Sequence, residues 1–305
     1  MREHGGYWRA IVCGAMLASS ISAAQNRPTA TLMSPRDLAA VPANPSDAHI
    51  SYGEESDQFG ELRVPPGLGP HPVVVLIHGG CFKVAYADLQ LMAPLGDALK
   101  AQGIASWNIE YRRLGQPGGG WPGTHRDVGS AVDHLRVIAE KFRLDLNRVV
   151  VVGHSAGGHL AMWLAARSRL PPASDLYVRN PLKVRGVVDL AGPVDLSANI
   201  EGYESLCADP VITSLLGGTP TTVPKRYAEA SPRRLLPLGV PQILVIGQYE
   251  EYVPRPIVED YVNAARQAGD TVEFEYIPGV GHFEIANVRA STWPKINALI
   301  RSLMD

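Results

Sequence analysis

Cysteine is scarce in this chain, three residues in 305, which excludes a disulfide-dense scaffold and a cysteine-rich zinc module. Neither sign of charge dominates: 28 Lys and Arg stand against 30 Asp and Glu, and the basic residues are scattered rather than gathered in runs. Such a balance carries no electrostatic footprint for nucleic acid or for an anionic membrane surface. The apolar stretch "AIVCGAMLA", Ala10 to Ala18, falls well below the ~20 residues that a membrane-spanning helix needs. No Gly-Lys-Ser or Gly-Lys-Thr follows a glycine loop, so a nucleotide-phosphate role has no support. Internal repeats and low-complexity tracts are also missing. What is present is a chain 46% hydrophobic and 19% charged, able to bury a large core.

The first residues follow a logic of their own. Arg2 and Arg9 flank a short polar start, Ala10 to Ala18 is apolar, and "SISAAQ" supplies small residues before a cleavage point. Residues 1–24 therefore read as a secretory signal peptide cut after Ala24, and the protein is expected to be secreted or periplasmic. A frayed, alanine-rich start of a cytoplasmic protein is the alternative. The mature chain then keeps only Cys81 and Cys207. An oxidising compartment permits a disulfide between them, but two cysteines without metal-like spacing more often stay separate buried thiols. Residues 25–47 are rich in Pro, Ala, Ser and Asn without periodicity, which predicts an irregular tether or wrap ahead of one domain over residues 48–305.

Within that domain, short apolar runs alternate with helical patterns. Strands are expected to begin near His49, Glu61, Pro72, Ile104, Arg148, Val184, Pro241 and Thr271. The first two and the last alternate in polarity like half-exposed strands. The middle ones are unbroken Val, Ile and Leu runs, the pattern of strands covered on both faces. Amphipathic helices are expected over Asp88–Gln102, Asp127–Phe142, Ala156–Arg169, Pro256–Ala268 and Thr292–Met304. This alternation specifies an α/β fold, a mostly parallel eight-stranded sheet with helices on both faces. The long interruption Pro193–Val240, after the sixth strand, reads as a cap-like insertion over a pocket.

The stretch "RVVVVGHSAGGHLAMWLAAR", Arg148 to Arg167, joins a buried strand to a helix through a sharp Gly-x-Ser-x-Gly turn with Ser155 at its tip. A nucleophilic serine needs that context, because the turn holds it in strained geometry and the glycines let strand and helix crowd together. A serine hydroxyl attacks poorly unless a base takes its proton. His282, in "PGVGHFE" after the last strand, is the candidate base. Glu250 or Glu251, in "VIGQYEEYVP" after the seventh, is the candidate acid that orients it. These positions lie beyond the carboxyl ends of strands, where parallel sheets gather their sites. "VVVLIHGGCF" runs another buried strand into Gly79 and Gly80. Their N–H groups, with that of Ala156, form a candidate oxyanion hole.

Together "LIHGG", "WNIEYRR", "GWPGTHRDV", "VVVVGHSAGGHLAMWLAAR" and "PGVGHFE" resemble the esterase, lipase and kynurenine formamidase (arylformamidase) branch of the α/β-hydrolase superfamily, from roughly Ala48 to the C-terminus. The resemblance implies the α/β-hydrolase fold and a cofactor-free serine hydrolase that cleaves a small to medium carboxylic ester through an acyl-enzyme. Family spacing from Gly247 to the following Val-Pro puts the acid at Glu250 rather than Glu251. Phe82 stands where the family often has tryptophan, and glutamate stands where aspartate is commoner. A formamidase-like or peptidase-like amide hydrolase is the alternative among enzymes. A non-catalytic binding protein on the same scaffold is the alternative outside them.

Several features invite other readings. "GGGWPG", Gly118 to Gly123, matches a dinucleotide fingerprint, but it does not open from a strand and it contains Pro122, so a loop with Trp121 near the pocket is expected. His154 and His159 lack a carboxylate neighbour for a metal site and are assigned to packing around the turn. Asp195 is the runner-up acid, or else a turn aspartate bonding its own backbone. The expected partner is a small-molecule ester or amide, with no metal, cofactor or nucleic acid.

Overall fold

The computed structural model describes Met1 and residues 31–304, so the expected signal peptide lies, after Met1, outside the described residues. One sheet runs in the order β1-β2-β4-β3-β5-β6-β7-β8. Its strands are β1 (Ala48–Ser51), β2 (Phe59–Arg63), β3 (His71–Ile77), β4 (Ala105–Ile109), β5 (Leu144–His154), β6 (Gly186–Leu190), β7 (Gln242–Gly247) and β8 (Val272–Ile277). β2 pairs antiparallel with β1 and β4, and every other pairing is parallel. Val73–Ile77 of β3 lie between Ala105–Ile109 on one edge and Val149–Gly153 on the other. All five are fully buried, which is why their sequence shows no polar alternation.

The helices are α1 (Pro35–Ala39), α2 (Ala93–Lys100), α3 (Gly123–Asp133), α4 (Leu135–Phe142), α5 (Ala156–Ala166), α6 (Ile200–Leu206), α7 (Val211–Leu216), α8 (Pro224–Ala230), α9 (Arg255–Gln267) and α10 (Trp293–Ser302). Three expected helices are divided, the simplest case being Ala156–Arg169, which is α5 followed by a 3-10 turn over Arg167–Arg169. Asp88–Gln102 opens as a 3-10 turn over Leu89–Met92, capped by Asp88, and becomes α2 where Pro94 fits the first turn. Asp127–Phe142 is α3 and α4, meeting at His134, whose N–H reaches back to both Ser130 and Val132 carbonyls. The N-terminal segment is less irregular than its composition suggests. It contains α1, started by a capping box between Ser34 and Asp37 and tied to the segment after β8 by Met33 N–H donating to Glu284 Oε1 at 2.5 Å.

α5 is buried all round, and it packs against β5 and β6 as the central helix of the sheet. The insertion between β6 and β7 carries α6, α7 and α8. Loops leaving β3, β5, β7 and β8 emerge at the same carboxyl edge of the sheet, the edge that gathers sites in parallel α/β folds.

Candidate active site

Ser155 sits between β5 and α5 with φ 56 and ψ −124, a conformation costly for a residue with a side chain. Crowding enforces it. A Cβ on Gly153 would lie 2.0 Å from the Gly157 carbonyl oxygen, and one on Gly157 would lie 2.1 Å from that of Ile77. Only glycine lets β5, β3 and α5 approach this closely. The Ser155 N–H donates to Leu190 O at 2.8 Å, fixing the turn to β6. The first N–H groups of α5 lie just beyond the serine, where an oxyanion is favoured.

The acid and the histidine meet across two loops. Glu250 Oε2 and Oε1 lie 2.8 and 2.9 Å from His282 Nδ1. A carboxylate only accepts, so Nδ1 carries the proton and donates. Glu250 is itself held by the Tyr252 and Val253 N–H groups, which donate to Oε1 at 2.8 and 3.2 Å. Among the described residues nothing engages His282 Nε2, and the ring lines the same cavity as Ser155. Glu251 is exposed and makes no such contact. Asp195 does not reach His282: its Oδ1 accepts from the Ser197 N–H at 2.8 Å and hydroxyl at 2.6 Å, the turn role.

The loop after β3 is organised by a buried carboxylate. Glu110 Oε1 faces His78 Nε2 at 3.0 Å and Arg113 at 2.9 Å, and accepts from the Tyr111 N–H. Burial alone would raise the Glu110 pKa, but His78 and Arg113 outweigh it and hold the carboxyl below its ordinary value. The other ring nitrogen of His78 meets Gly79 O at 2.8 Å. Because C=O and N–H of a trans peptide point opposite ways, this bond turns the Gly80 N–H the other way. The Lys83 N–H takes Gly80 O at 2.9 Å, fixing the next peptide and the Cys81 N–H likewise. A Cβ on Gly79 would lie 2.9 Å from Ser155 Cβ, so only glycine fits beside the serine. Among the described residues, the N–H groups of Gly79, Gly80, Cys81 and Ala156 have no protein acceptor.

Ser155 and His282 open into a cavity of about 660 Å³ lined also by Gly80, Cys81, Tyr86, Tyr252 and Phe283. Arg36 and Pro35 of α1 close one side, a contribution that the N-terminal composition did not reveal. Cys81 and Cys207 form a disulfide, not the separate thiols expected. The bond ties the loop after Gly80 to the end of α6, and a sequence separation of 126 concealed their proximity. Trp121 does not line this cavity; it lies against His125, 5.7 Å between ring centroids. His154 Nε2 meets the His282 carbonyl at 3.0 Å, bracing the two loops. Among the described residues no cluster of three or more metal-ligating side chains forms, and no helix is long and apolar enough to cross a membrane.

Sheet order, strained serine turn and acid–histidine pair define an α/β hydrolase of the esterase and lipase kind. The chain belongs to the BD-FAE family, whose model matches residues 63–258. It is 27% identical over 256 residues to esterase LipC of Mycobacterium tuberculosis, covering 82% of this chain and 62% of that protein. The chain thus spans about three fifths of the length of this curated relative. Among solved structures it resembles esterase B of Lactobacillus rhamnosis, with a TM-score of 0.74, 20% identity, and 88% and 89% of the two chains covered. A truncated carbohydrate esterase from gut microbiota matches with a TM-score of 0.70, 21% identity, and 86% and 97% covered. These two likenesses are of fold.

Proposed function

We propose that this protein is a carboxylic ester hydrolase working through an acyl-enzyme on Ser155. The observation that carries the reading is the two-oxygen contact of Glu250 with His282 Nδ1, which leaves Nε2 free in the cavity that Ser155 lines. Glu250 orients the imidazole and stabilises the imidazolium that forms. His282 Nε2 takes the hydroxyl proton as Ser155 Oγ attacks the acyl carbonyl. The negative charge on the carbonyl oxygen is held by the N–H groups of Gly80 and Ala156, with Gly79 and Cys81 beside them. His282 then returns its proton to the departing alcohol, and water releases the acid by the reverse sequence.

The family match and the relative named an esterase support an ester rather than an amide as the substrate. The size of the cavity suits a small to medium ester, with aromatic walls at Tyr86, Tyr252 and Phe283. The Cys81–Cys207 bond supports an oxidising compartment, in keeping with residues 1–24 acting as an export signal removed from the mature chain.

A panel of aryl esters with acyl chains of increasing length, each matched by its anilide, tests the reading. Ester turnover that exceeds anilide turnover at least a hundredfold is expected. Anilide turnover as fast as that of the esters would replace the reading by an amidase, and no turnover of either would remove it.

A further inference from the structure

α1 places a cation on the wall of the catalytic cavity. Arg36 lines the cavity that also holds Ser155 and His282, and among the described residues no other Lys or Arg does so. An exposed arginine is common on a protein surface and by itself needs no explanation. Arg36 differs in where it stands and in what surrounds it. Among the described residues its guanidinium makes no hydrogen bond and no ion pair. Nothing in the mechanism above uses this charge.

The carboxylates around it are already engaged. Asp37 Oδ2 accepts from the Ser34 N–H at 2.8 Å and from its hydroxyl at 2.6 Å. Asp88, the acid on the same cavity wall, accepts from the Gln90 N–H at 2.9 Å and caps the turn before α2. Glu250 holds His282. Glu284 Oε1 takes the Met33 N–H, and its Oε2 takes the Gly281 N–H at 3.0 Å. One side chain therefore joins the segment ahead of α1 to the residue before His282. Asn287 Nδ2 adds a contact with Met33 Sδ at 3.4 Å, and Leu38 of α1 is buried in the core. Arg36 is thus carried by a helix fixed against the catalytic loop.

We propose that Arg36 sets specificity by pairing with a carboxylate of the substrate, so that the preferred substrates are esters carrying one free carboxylate. The planar guanidinium presents two parallel N–H donors that match a carboxylate. One guanidinium balances one negative charge, whereas a phosphate dianion would leave a charge uncompensated on the wall that Asp88 shares. A cavity of about 660 Å³ lets a small to medium ester reach both Ser155 and α1, with Tyr86, Tyr252 and Phe283 against its apolar middle. The inference rests on the ester hydrolase reading and names its substrate class.

Two matched pairs of esters test it: 4-nitrophenyl hexanoate with the 4-nitrophenyl half-ester of adipic acid, and phenyl butyrate with 4-carboxyphenyl butyrate. The first pair puts the charge on the acyl side, the second on the alcohol side. The readout is the ratio of kcat/KM, charged over neutral, in the parent, Arg36→Gln and Arg36→Glu. Comparing one pair across the variants cancels its intrinsic reactivity and any loss of folded protein. In at least one pair the ratio is expected to fall about 3- to 10-fold in Arg36→Gln, and further in Arg36→Glu. Ratios within twofold of the parent for both pairs in both variants overturn the proposal, as does a ratio that rises in Arg36→Glu. A parent that hydrolyses none of these esters contradicts the hydrolase reading itself, a separate result.

Discussion

Glu250 grips His282 Nδ1 with both carboxylate oxygens, at 2.8 and 2.9 Å, across loops 32 residues apart in the chain. The neighbouring Glu251 makes no contact with the ring and faces solvent. Both glutamates occupy the same loop, so the pair supplies its own control. Glu250→Gln keeps the size of the side chain but presents an amide to Nδ1, which upsets the tautomer, and kcat is expected to fall about 10³- to 10⁴-fold. Glu251→Gln should stay within about twofold of the parent, since an exposed, unpaired carboxylate contributes little. Steady-state kinetics on an aryl acetate check both. Equal losses in the two variants would remove the assignment.

The Cys81–Cys207 bond closes a long loop, with a sequence separation of 126, and removing such a crosslink costs about 3–5 kcal/mol of stability in the chain-entropy model. The double variant Cys81→Ser with Cys207→Ser is expected to unfold at correspondingly lower urea, measured against the oxidised parent. Its kcat should also drop, because the bond holds α6 to the loop that carries the Gly80 N–H. A variant as stable and as active as the parent would show that this crosslink holds neither the fold nor the site.

Acid should loosen the fold. Burial pushes the pKa of His154 down to about 3 and that of His159 to about 4, and holds His125 well below its ordinary value. All three stay neutral when folded, whereas each takes up a proton near pH ~6.5 when unfolded. The stability linked to them is complete above about pH 6.5 and is lost as the pH falls through the unfolded value toward the folded ones. Asp189 works the other way: burial holds its carboxyl well above the ordinary value, so its contribution grows on acidification. One such group stands against these three histidines, and His134, lowered by burial, and the carboxyls of Glu110, Asp47 and Asp145, all held below their ordinary values, add to the loss on acidification. The melting temperature is expected to fall steadily from pH 7 to pH 4.5, and a level or rising curve would contradict this account.

Much of the architecture was legible because its physics is local. Val73–Ile77 and Val149–Val152 announce strands covered on both faces, and the glycines beside Ser155 announce a turn that tolerates nothing larger. Helix extents were less legible. The break at His134 and the 3-10 start before Pro94 depend on how each segment meets the sheet, which periodicity does not encode. Long-range partners were hidden altogether. Glu110 reads as one more polar residue after a strand, and its grip on His78 becomes visible only once β3 and β4 lie side by side. The disulfide belongs to the same class, since neither cysteine has a sequence neighbour that points to the other.

The central claim is that Ser155 is the nucleophile. A fluorophosphonate probe, read by intact mass and by peptide mapping, measures this directly. One adduct per folded chain, located on Ser155 and abolished in Ser155→Ala together with ester turnover, is the predicted result. An unlabelled folded protein, an adduct on another residue, or undiminished turnover in Ser155→Ala would contradict it.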